Sequence, residues 1–355
     1  MISCQNPNVK KLKICIAKDN FRFKIQLQMN TKTLLSSLSL TAAVALLATT
    51  ASAQFYADFE TDVSADWEIF TAYQGRADFN FDYSTAGIPL SPNAKAGDST
   101  RALRLEVNWD HNTSGQYPSI SVSPKNQSFS GDFVLQFDIW SNSVGPISKG
   151  AGSGATMING AGIGTNATSL HDPFSPNDGL SFWTDNEGDI SNNYRIYPAA
   201  NQSEGQKYLA APQDGSNLPS SHLNSYYSQF GGHEAPVAQV ALFPGQTGTT
   251  AIGTQGMAWH TWQIAKSGDT VTWTIDGLLI ATVTNYSSLG LTGDNILFGR
   301  FDPFWGASAD PNGPAMNFTL IDNIMVIPEP STYAAIFGGL ALLGAIAYRS
   351  RKARA

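Results

Sequence analysis

The sequence predicts an all-β domain between two short helical segments, and three observations support this. Short runs alternate apolar and polar residues, as in Leu103-Arg104-Leu105-Glu106-Val107, so that the apolar side chains share one face. Gly, Asn, Asp, Ser and Pro separate these runs. Asp276-Gly277 lies between two alternating runs, a strong signal for a two-residue hairpin because both positions need positive φ. Residues 54–326 contain no helix-period stripe of useful length.

Residues 29–53 have the pattern of a secretory signal peptide, which predicts an N-terminal signal helix. Lys32 is followed by an apolar core over residues 34–47, and Ala51-Ser52-Ala53 offers signal peptidase a small-residue cleavage site. Residues 1–28 precede this pattern and are rich in lysine. We expect translation to begin at Met29 and residues 1–28 to be a wrongly assigned extension. The alternative is a genuine long basic region ahead of the apolar core.

The composition of the mature region limits its stabilisation and its partners. Both cysteines, Cys4 and Cys15, precede residue 54, so disulfides cannot stabilise the exported domain. Of the 21 Lys and Arg, ten lie in residues 54–327, together with 26 of the 28 Asp and Glu, which gives a net charge near −16. This charge argues against nucleic acid and anionic membrane surfaces as partners. It is compatible with bound Ca²⁺ or with solubility alone.

The predicted strands are short and numerous. They span residues 55–59, 67–73, 102–108, 119–123, 133–140, 180–184, 194–197, 237–243, 258–265, 270–275, 279–284, 295–301 and 317–326. Residues 141–177 and 201–235 are rich in small and polar residues and are predicted to be long loops, with a glycine-rich strand over residues 156–163.

Residues 259–283 predict a three-stranded meander that carries the first resemblance to a known family. Trp262, Trp273 and Asp276-Gly277 in this stretch resemble the corresponding meander of concanavalin A-like and laminin G-like sandwiches. The resemblance implies a two-sheet antiparallel jelly roll over residues 54–326, a scaffold that hosts many unrelated functions. It also implies that the strands near residues 55–60 and 319–324 are neighbours.

Two acidic groups are candidate calcium sites, because carboxylates at short spacing offer several oxygens to a hard cation. The first group, Asp185, Glu187 and Asp189, lies in one loop, and a solvated turn is the alternative. The second group, Asp58, Glu60 and Asp322, would lie on the first and last strands. By resemblance, jelly-roll carbohydrate-binding modules often hold a structural Ca²⁺ there; the alternative is hydrogen bonding to the backbone.

Aromatic residues in or beside polar loops are candidate sugar-binding residues, because the apolar faces of sugars stack on rings. The candidates are Tyr194, Tyr197, Tyr226, Tyr227, Phe304 and Trp305.

No enzymatic motif appears in the sequence. Laminarinase-like members of the concanavalin A-like group carry Glu-x-Asp-x-x-Glu or Glu-x-Asp-x-Glu, and this string is absent. The five histidines have no zinc-ligand spacing, and residues 160–164 lack the spacing of a dinucleotide fingerprint. We therefore predict no catalytic residue. A polysaccharide-degrading hydrolase or lyase with an unrecognised carboxylate pair is the alternative.

The last 29 residues carry the most specific resemblance. Pro328-Glu329-Pro330, an uncharged apolar run over residues 333–348 and a basic tail containing Arg349 and Arg351 resemble the PEP-CTERM sorting signal of Gram-negative bacteria. The resemblance implies a transmembrane helix, transient anchoring in the inner membrane and processing by an exosortase. An ordinary single-pass anchor is the alternative.

Together these patterns predict an exported protein of the cell surface or extracellular matrix. The sorting-signal family commonly accompanies biofilm and exopolysaccharide systems, so the resemblance implies binding to, or structural association with, extracellular polysaccharide.

Overall fold

A computed structural model describes residues 53–109, 117–147, 156–174, 178–188, 192–198, 205–303 and 312–328. The predicted signal peptide and the sorting-signal residues Glu329, Pro330, Arg349 and Arg351 lie outside these ranges, as does the predicted membrane segment at 333–348. Within them, no helix has both the length and the hydrophobicity that a bilayer crossing requires.

The described residues form fourteen strands and two short helices. The strands are β1 (Phe55–Ala57), β2 (Trp67–Ala72), β3 (Gly75–Asp82), β4 (Arg101–Val107), β5 (Ser119–Pro124), β6 (Phe133–Ser141), β7 (Ile158–Thr165), β8 (Leu180–Asp185), β9 (Tyr194–Pro198), β10 (Trp259–Ser267), β11 (Thr270–Ile275), β12 (Leu278–Val283), β13 (Asn295–Phe301) and β14 (Phe318–Pro328). The helices are α1 (Val237–Leu242) and α2 (Gly313–Met316).

These strands build two antiparallel sheets, which confirms the predicted all-β sandwich. Sheet A has the order β12-β11-β10-β6-β14-β4-β3, with β1 added beside β14. Sheet B has the order β2-β5-β13-β7-β8-β9. Neighbouring strands in both sheets are often distant in sequence, so long-range pairing rather than local hairpins defines the fold.

The core lies between the two sheets and follows the alternation of the strands. Sheet A contributes Leu135 and Phe137, and sheet B contributes Ile296 and Phe298, all buried. The rings of Phe137 and Phe298 meet edge to face across the core, with centroids 5.0 Å apart. Burial of these side chains replaces the disulfides that the mature region lacks.

The predicted meander and the predicted pairing of the chain ends are both present. β10, β11 and β12 are consecutive neighbours, and Asp276 (φ 48°) and Gly277 (φ 79°) form the hairpin turn with positive φ. β1 pairs with the end of β14, with Phe55 opposite Val326. β14 also pairs with β6 up to Pro328, which lies opposite Phe133. Pro328 is the last residue of the chain that the structure describes, and it begins the Pro-Glu-Pro sequence.

One predicted strand is wrong and one strand was missed. Residues 237–242 form helix α1, with Pro236 as its N-cap, and the buried Gln239 side chain donates to Ala86 O (3.0 Å) and Asn142 Oδ1 (2.9 Å). These tertiary contacts outweigh the β propensity of the valines. β3 was not predicted, because Asp78 and Asn80 interrupt its apolar pattern. The glycine-rich strand predicted at 156–163 is β7.

Candidate functional site

The outer face of sheet B carries an aromatic group that the strand alternation places opposite the core. On β5, Ile120 and Val122 enter the core, so Ser119, Ser121 and Ser123 point outward. Phe301 of β13 lies directly opposite Ser119 and shares its face.

Two exposed rings lie over Phe301 and form with it what we call the aromatic notch: Tyr117, Phe174 and Phe301. Tyr117 and Phe174 are each 54% exposed, whereas Phe301 is fully buried beneath them. The centroids of Tyr117 and Phe174 are 5.5 Å apart with an interplanar angle of 44°. Phe301 lies 4.9 Å from Phe174 at 67° and 6.3 Å from Tyr117 at 33°. The three rings are therefore in contact but inclined to one another, and they do not form a plane.

Hydrogen bonds fix the two loops that present these rings. The backbone N–H of Phe174 donates to Asp172 Oδ1 (2.8 Å), and that of His171 donates to Ser121 Oγ (3.0 Å), so this loop is tied to β5. The His171 imidazole contacts Asp178. Burial alone would raise the pKa of Asp178, but hydrogen bonds from His171, Asn166 and Thr165 lower it to about 2.

The segment before β5 is tied to the end of β13. The backbone N–H of Asp302 donates to Pro118 O (3.0 Å), which places Tyr117 beside Phe301. The side chain of Asp302 accepts a hydrogen bond from Asn108 Nδ2 (3.0 Å). The notch is therefore held by residues from three parts of the chain.

A buried hydroxyl lies at the floor of the aromatic notch. Ser119 is 1% exposed, and its Oγ finds no hydrogen-bond partner in the part of the chain that the structure describes. A buried hydroxyl without a partner costs about 1–3 kcal/mol, and this one lies beneath the rings, out of reach of solvent. The two half-exposed rings above it suit a ligand that has apolar faces.

The aromatic group continues across the sheet beneath the surface. Trp183, Tyr197 and Ile158 form one buried cluster with Phe301. The indole of Trp183 lies over Gly160, where a Cβ would be 2.2 Å from the ring, and it donates to Ser181 Oγ (2.9 Å). Glycine is therefore required on β7 for the tryptophan to lie flat on the sheet.

Most of the tyrosines predicted to bind sugar are in the interior, which corrects that prediction. Tyr194 and Tyr227 are fully buried and stacked on each other, with centroids 3.8 Å apart, and burial raises the pKa of Tyr194. Their hydroxyls donate to Gly253 O (2.8 Å) and Pro219 O (2.6 Å). Tyr197 is 3% exposed, and the partly buried Tyr226 donates to Leu279 O (2.8 Å). Buried rings cannot stack on a glycan.

Phe304 and Trp305 lie outside the described residues; in the sequence they follow Phe301 by three and four positions. Tyr117 and Phe174 are not among the sugar-binding residues predicted from the sequence. The available signal was an aromatic residue next to proline in a polar stretch, Tyr117-Pro118 and Pro173-Phe174, which is too common to select a site without the fold.

The carboxylates predicted to bind calcium on the first and last strands instead hold a segment of the chain, residues 88–100, which we call the strap. Asp322 Oδ2 accepts from Ser91 Oγ (2.8 Å), and Glu60 accepts from the Ser99 backbone N–H (2.9 Å) and Oγ (2.6 Å). Asp58 accepts from the backbone N–H of Glu60 (3.3 Å). Strap donors thus bind the carboxylates of Asp322 and Glu60, and a neighbouring backbone N–H binds that of Asp58.

Asp138 is the second anchor of the strap, and it lies directly opposite Asp322 in the sheet. Its carboxylate accepts from the Asn93 backbone N–H (3.0 Å) and from Asn93 Nδ2 (2.6 Å). Asn323 lies at a bulge in β14 and has the left-handed backbone conformation. Its side-chain amide donates to Asp138 Oδ2 (3.2 Å) and to Ser91 Oγ (2.8 Å), which in turn donates to Asp322, so Asn323 links the two anchors. Burial, together with the nearby carboxylates of Asp138 and Glu60, raises the pKa of Asp322 to about 7.

In the other group predicted to bind calcium, Asp185, Glu187 and Asp189, the first two carboxylates are not exposed to solvent. Asp185 and Glu187 are fully buried, and Asp189 lies outside the described residues. Asp185 Oδ2 accepts from the Gly188 backbone N–H (2.7 Å) and from Asn193 Nδ2 (2.8 Å), so it fixes the turn that follows β8. Across the described ranges, no three His, Cys, Asp or Glu side chains form a group that could hold a metal ion.

A buried arginine lies near this turn, between the sheets. Arg300 Nη1 donates to Asn159 Oδ1 (2.7 Å), and its guanidinium also contacts Asn317 and Thr319. Burial lowers its pKa to about 10, while nearby Asp302, Glu106 and Glu187 oppose that shift. Arg300 therefore stays charged at neutral pH.

Comparison with known proteins gives a likeness in fold only. No protein-family model matches the chain, and no curated protein matches it. A Bacillus licheniformis beta-glucanase is 13% identical, with a TM-score of 0.37, over 78% of this chain and 99% of that chain. A Bacillus subtilis protein of unknown function with a galectin-like fold is 9% identical, with a TM-score of 0.39, over 78% of this chain and 96% of that chain. The LamAcat protein of Zobellia galactanivorans is 10% identical, with a TM-score of 0.39, over 78% of this chain and 97% of that chain.

Proposed function

We propose that this protein is exported to the cell surface or extracellular matrix and binds extracellular polysaccharide at the aromatic notch. One observation carries the proposal: two half-exposed rings, Tyr117 and Phe174, lie over a buried third ring, Phe301, and are inclined to each other by 44°. A pyranose offers C–H faces that can stack on the two exposed rings. The ring atoms are already ordered by Phe301, so little conformational entropy is lost on binding.

The proposal is tested with residues 54–328, which contain all fourteen described strands and lie within one compact unit of the chain, Ala51–Pro330. Retardation in gels containing soluble polysaccharide measures binding, and calorimetry gives the affinity. We expect the double variant Tyr117→Ala/Phe174→Ala to bind at least about tenfold more weakly, since central aromatic residues dominate small binding sites.

Leu223→Ala is the matched control, because Leu223 is 64% exposed and lies on the long segment between β9 and β10. It should bind like the wild type. Equal binding by the double variant and the wild type, with unchanged circular dichroism, would place any glycan site elsewhere. Release of reducing ends in the same samples would support the alternative of a polysaccharide-degrading enzyme.

The proposal for export comes from the sequence patterns at both ends of the chain. Signal peptidase would cut after Ala53, and an exosortase would process the protein near Pro328-Glu329-Pro330. β14 is paired with β6 as far as Pro328, so a protease that needs an unpaired chain would not cut within this strand.

Expression in a bacterium that has its own exosortase tests this part of the proposal. Mass spectrometry of the surface fraction should find a mature protein that begins near Gln54 and ends near Pro328. Replacing Pro328, Glu329 and Pro330 with alanine should leave the uncut chain in the inner membrane. Normal processing of that variant would contradict the proposed sorting signal.

A further inference from the structure

We infer that the aromatic notch takes a single, uncharged glycan chain from solution, and binds neither a crystalline polysaccharide surface nor an acidic polysaccharide. The inference rests on the proposed function and narrows its ligand class. Two features of the described residues carry it: the angles between the rings and the sign of the charge around the site.

The ring angles exclude a flat ligand. A crystalline surface presents its sugar rings in one plane, and several protein rings must be coplanar to stack on it. Tyr117 and Phe174 are inclined by 44°, and Phe174 is inclined by 67° to Phe301. Only one exposed ring at a time can lie against a plane, whereas a single chain can place one residue against each ring.

The charge around the aromatic notch disfavours acidic sugars. Asp172 holds the backbone of Phe174, and Asp302 follows Phe301 directly and is bonded to Pro118. The nearby Arg300 directs its charge into the space between the sheets, where Asn159 and Asn317 bind it. Residues 54–327 also carry a net charge near −16. A polyanion therefore meets repulsion both at long range and at the site.

The test measures three probes against residues 54–328: a soluble neutral β-glucan, microcrystalline cellulose and alginate. We expect binding to the neutral glucan that does not change between 20 mM and 500 mM NaCl. Alginate should bind at least about tenfold more weakly at 20 mM NaCl, where charges are screened least, and cellulose should retain no protein. The control Leu223→Ala should bind the neutral glucan like the wild type.

The outcomes separate this inference from the function on which it rests. Retention on cellulose that is lost in Tyr117→Ala/Phe174→Ala would show a flat-surface site and overturn the single-chain inference. Alginate binding equal to or tighter than glucan binding, and lost in the same variant, would overturn the inference of an uncharged ligand. Both results would leave glycan binding at the aromatic notch in place. Failure to bind all three probes would contradict the proposed function and the inference together.

Discussion

Asp322 should make the sandwich less stable as the pH rises from 4 to 7. Its pKa is about 7 in the folded protein, chiefly because of burial, and 3.8 is the ordinary value. Between these values the folded state holds a proton that the unfolded state has released, so folding is favoured by protons. The stabilisation is complete below pH 3.8 and is lost as the pH rises through 7. At 1.36 kcal/mol for each pKa unit, the loss is about 4 kcal/mol.

The measurement is urea unfolding of the wild type and Asp322→Asn at intervals from pH 4.5 to 8. Asparagine has nearly the same shape and does not titrate, so the difference in free energy of unfolding between the two proteins isolates Asp322 from all other groups. We expect the wild type to lose about 3–4 kcal/mol relative to the variant over this range. Asp138→Asn should reduce the effect, because the Asp138 carboxylate helps to raise the pKa of Asp322. Parallel curves for the wild type and Asp322→Asn would refute the reasoning.

Four further predictions concern stability at low pH, removal of metal ions, the packing of Trp183 on sheet B and the buried Arg300. Asp178 has a folded pKa of about 2, so the stability that its ionised form contributes is present above pH 3.8 and is lost towards pH 2. Asp178→Asn should lower the free energy of unfolding at pH 6 by about 1–2 kcal/mol, a value reduced for solvent screening of this partly exposed group. The variant should also lose the part of the acid-unfolding curve that comes from Asp178. Ethylenediaminetetraacetate should leave the thermal midpoint unchanged, because strap donors already occupy Asp322 and Glu60, whereas a fall would indicate a bound cation. Gly160→Ala should cost about 1–3 kcal/mol in urea unfolding, because the new Cβ would lie 2.2 Å from Trp183, and Trp183→Leu should relieve most of that cost. Arg300→Met should cost about 3–5 kcal/mol, because Asn159 and Asn317 lose a buried charged donor; an unchanged urea midpoint would contradict this.

The sequence predicted the parts of the fold that depend on local pattern. The hairpin at Asp276-Gly277 needs only two residues that tolerate positive φ, and the structure has both there. The prediction failed at residues 237–243, where the contacts of Gln239 with Ala86 and Asn142 decide for a helix. Those contacts join residues about 100 to 150 positions apart, and no local pattern contains them.

The candidate site was predicted less well, because exposure cannot be inferred from polar neighbours in the sequence. Tyr194 and Tyr227 lie among polar residues, yet they stack on each other inside the sandwich and hydrogen-bond to backbone carbonyls. Tyr117 and Phe174 are 57 positions apart and become a pair only because both of their loops are tied to the same outer face. The resemblance supplied the class of ligand, whereas the fold supplied the residues.

The outer faces of the two sheets differ in a way that favours sheet B for the proposed ligand site. Over Asp138 and Asp322, the face of sheet A is covered by the strap, whose Asn93 and Ser91 donate to these carboxylates. Polar groups that would otherwise attract a sugar or a cation are thereby satisfied within the chain. On sheet B the corresponding hydroxyl of Ser119 stays without a partner among the described residues, below two rings that remain half exposed. Since half-exposed rings can stack on the apolar face of a sugar and the strap covers this part of sheet A, sheet B is the face expected to bind.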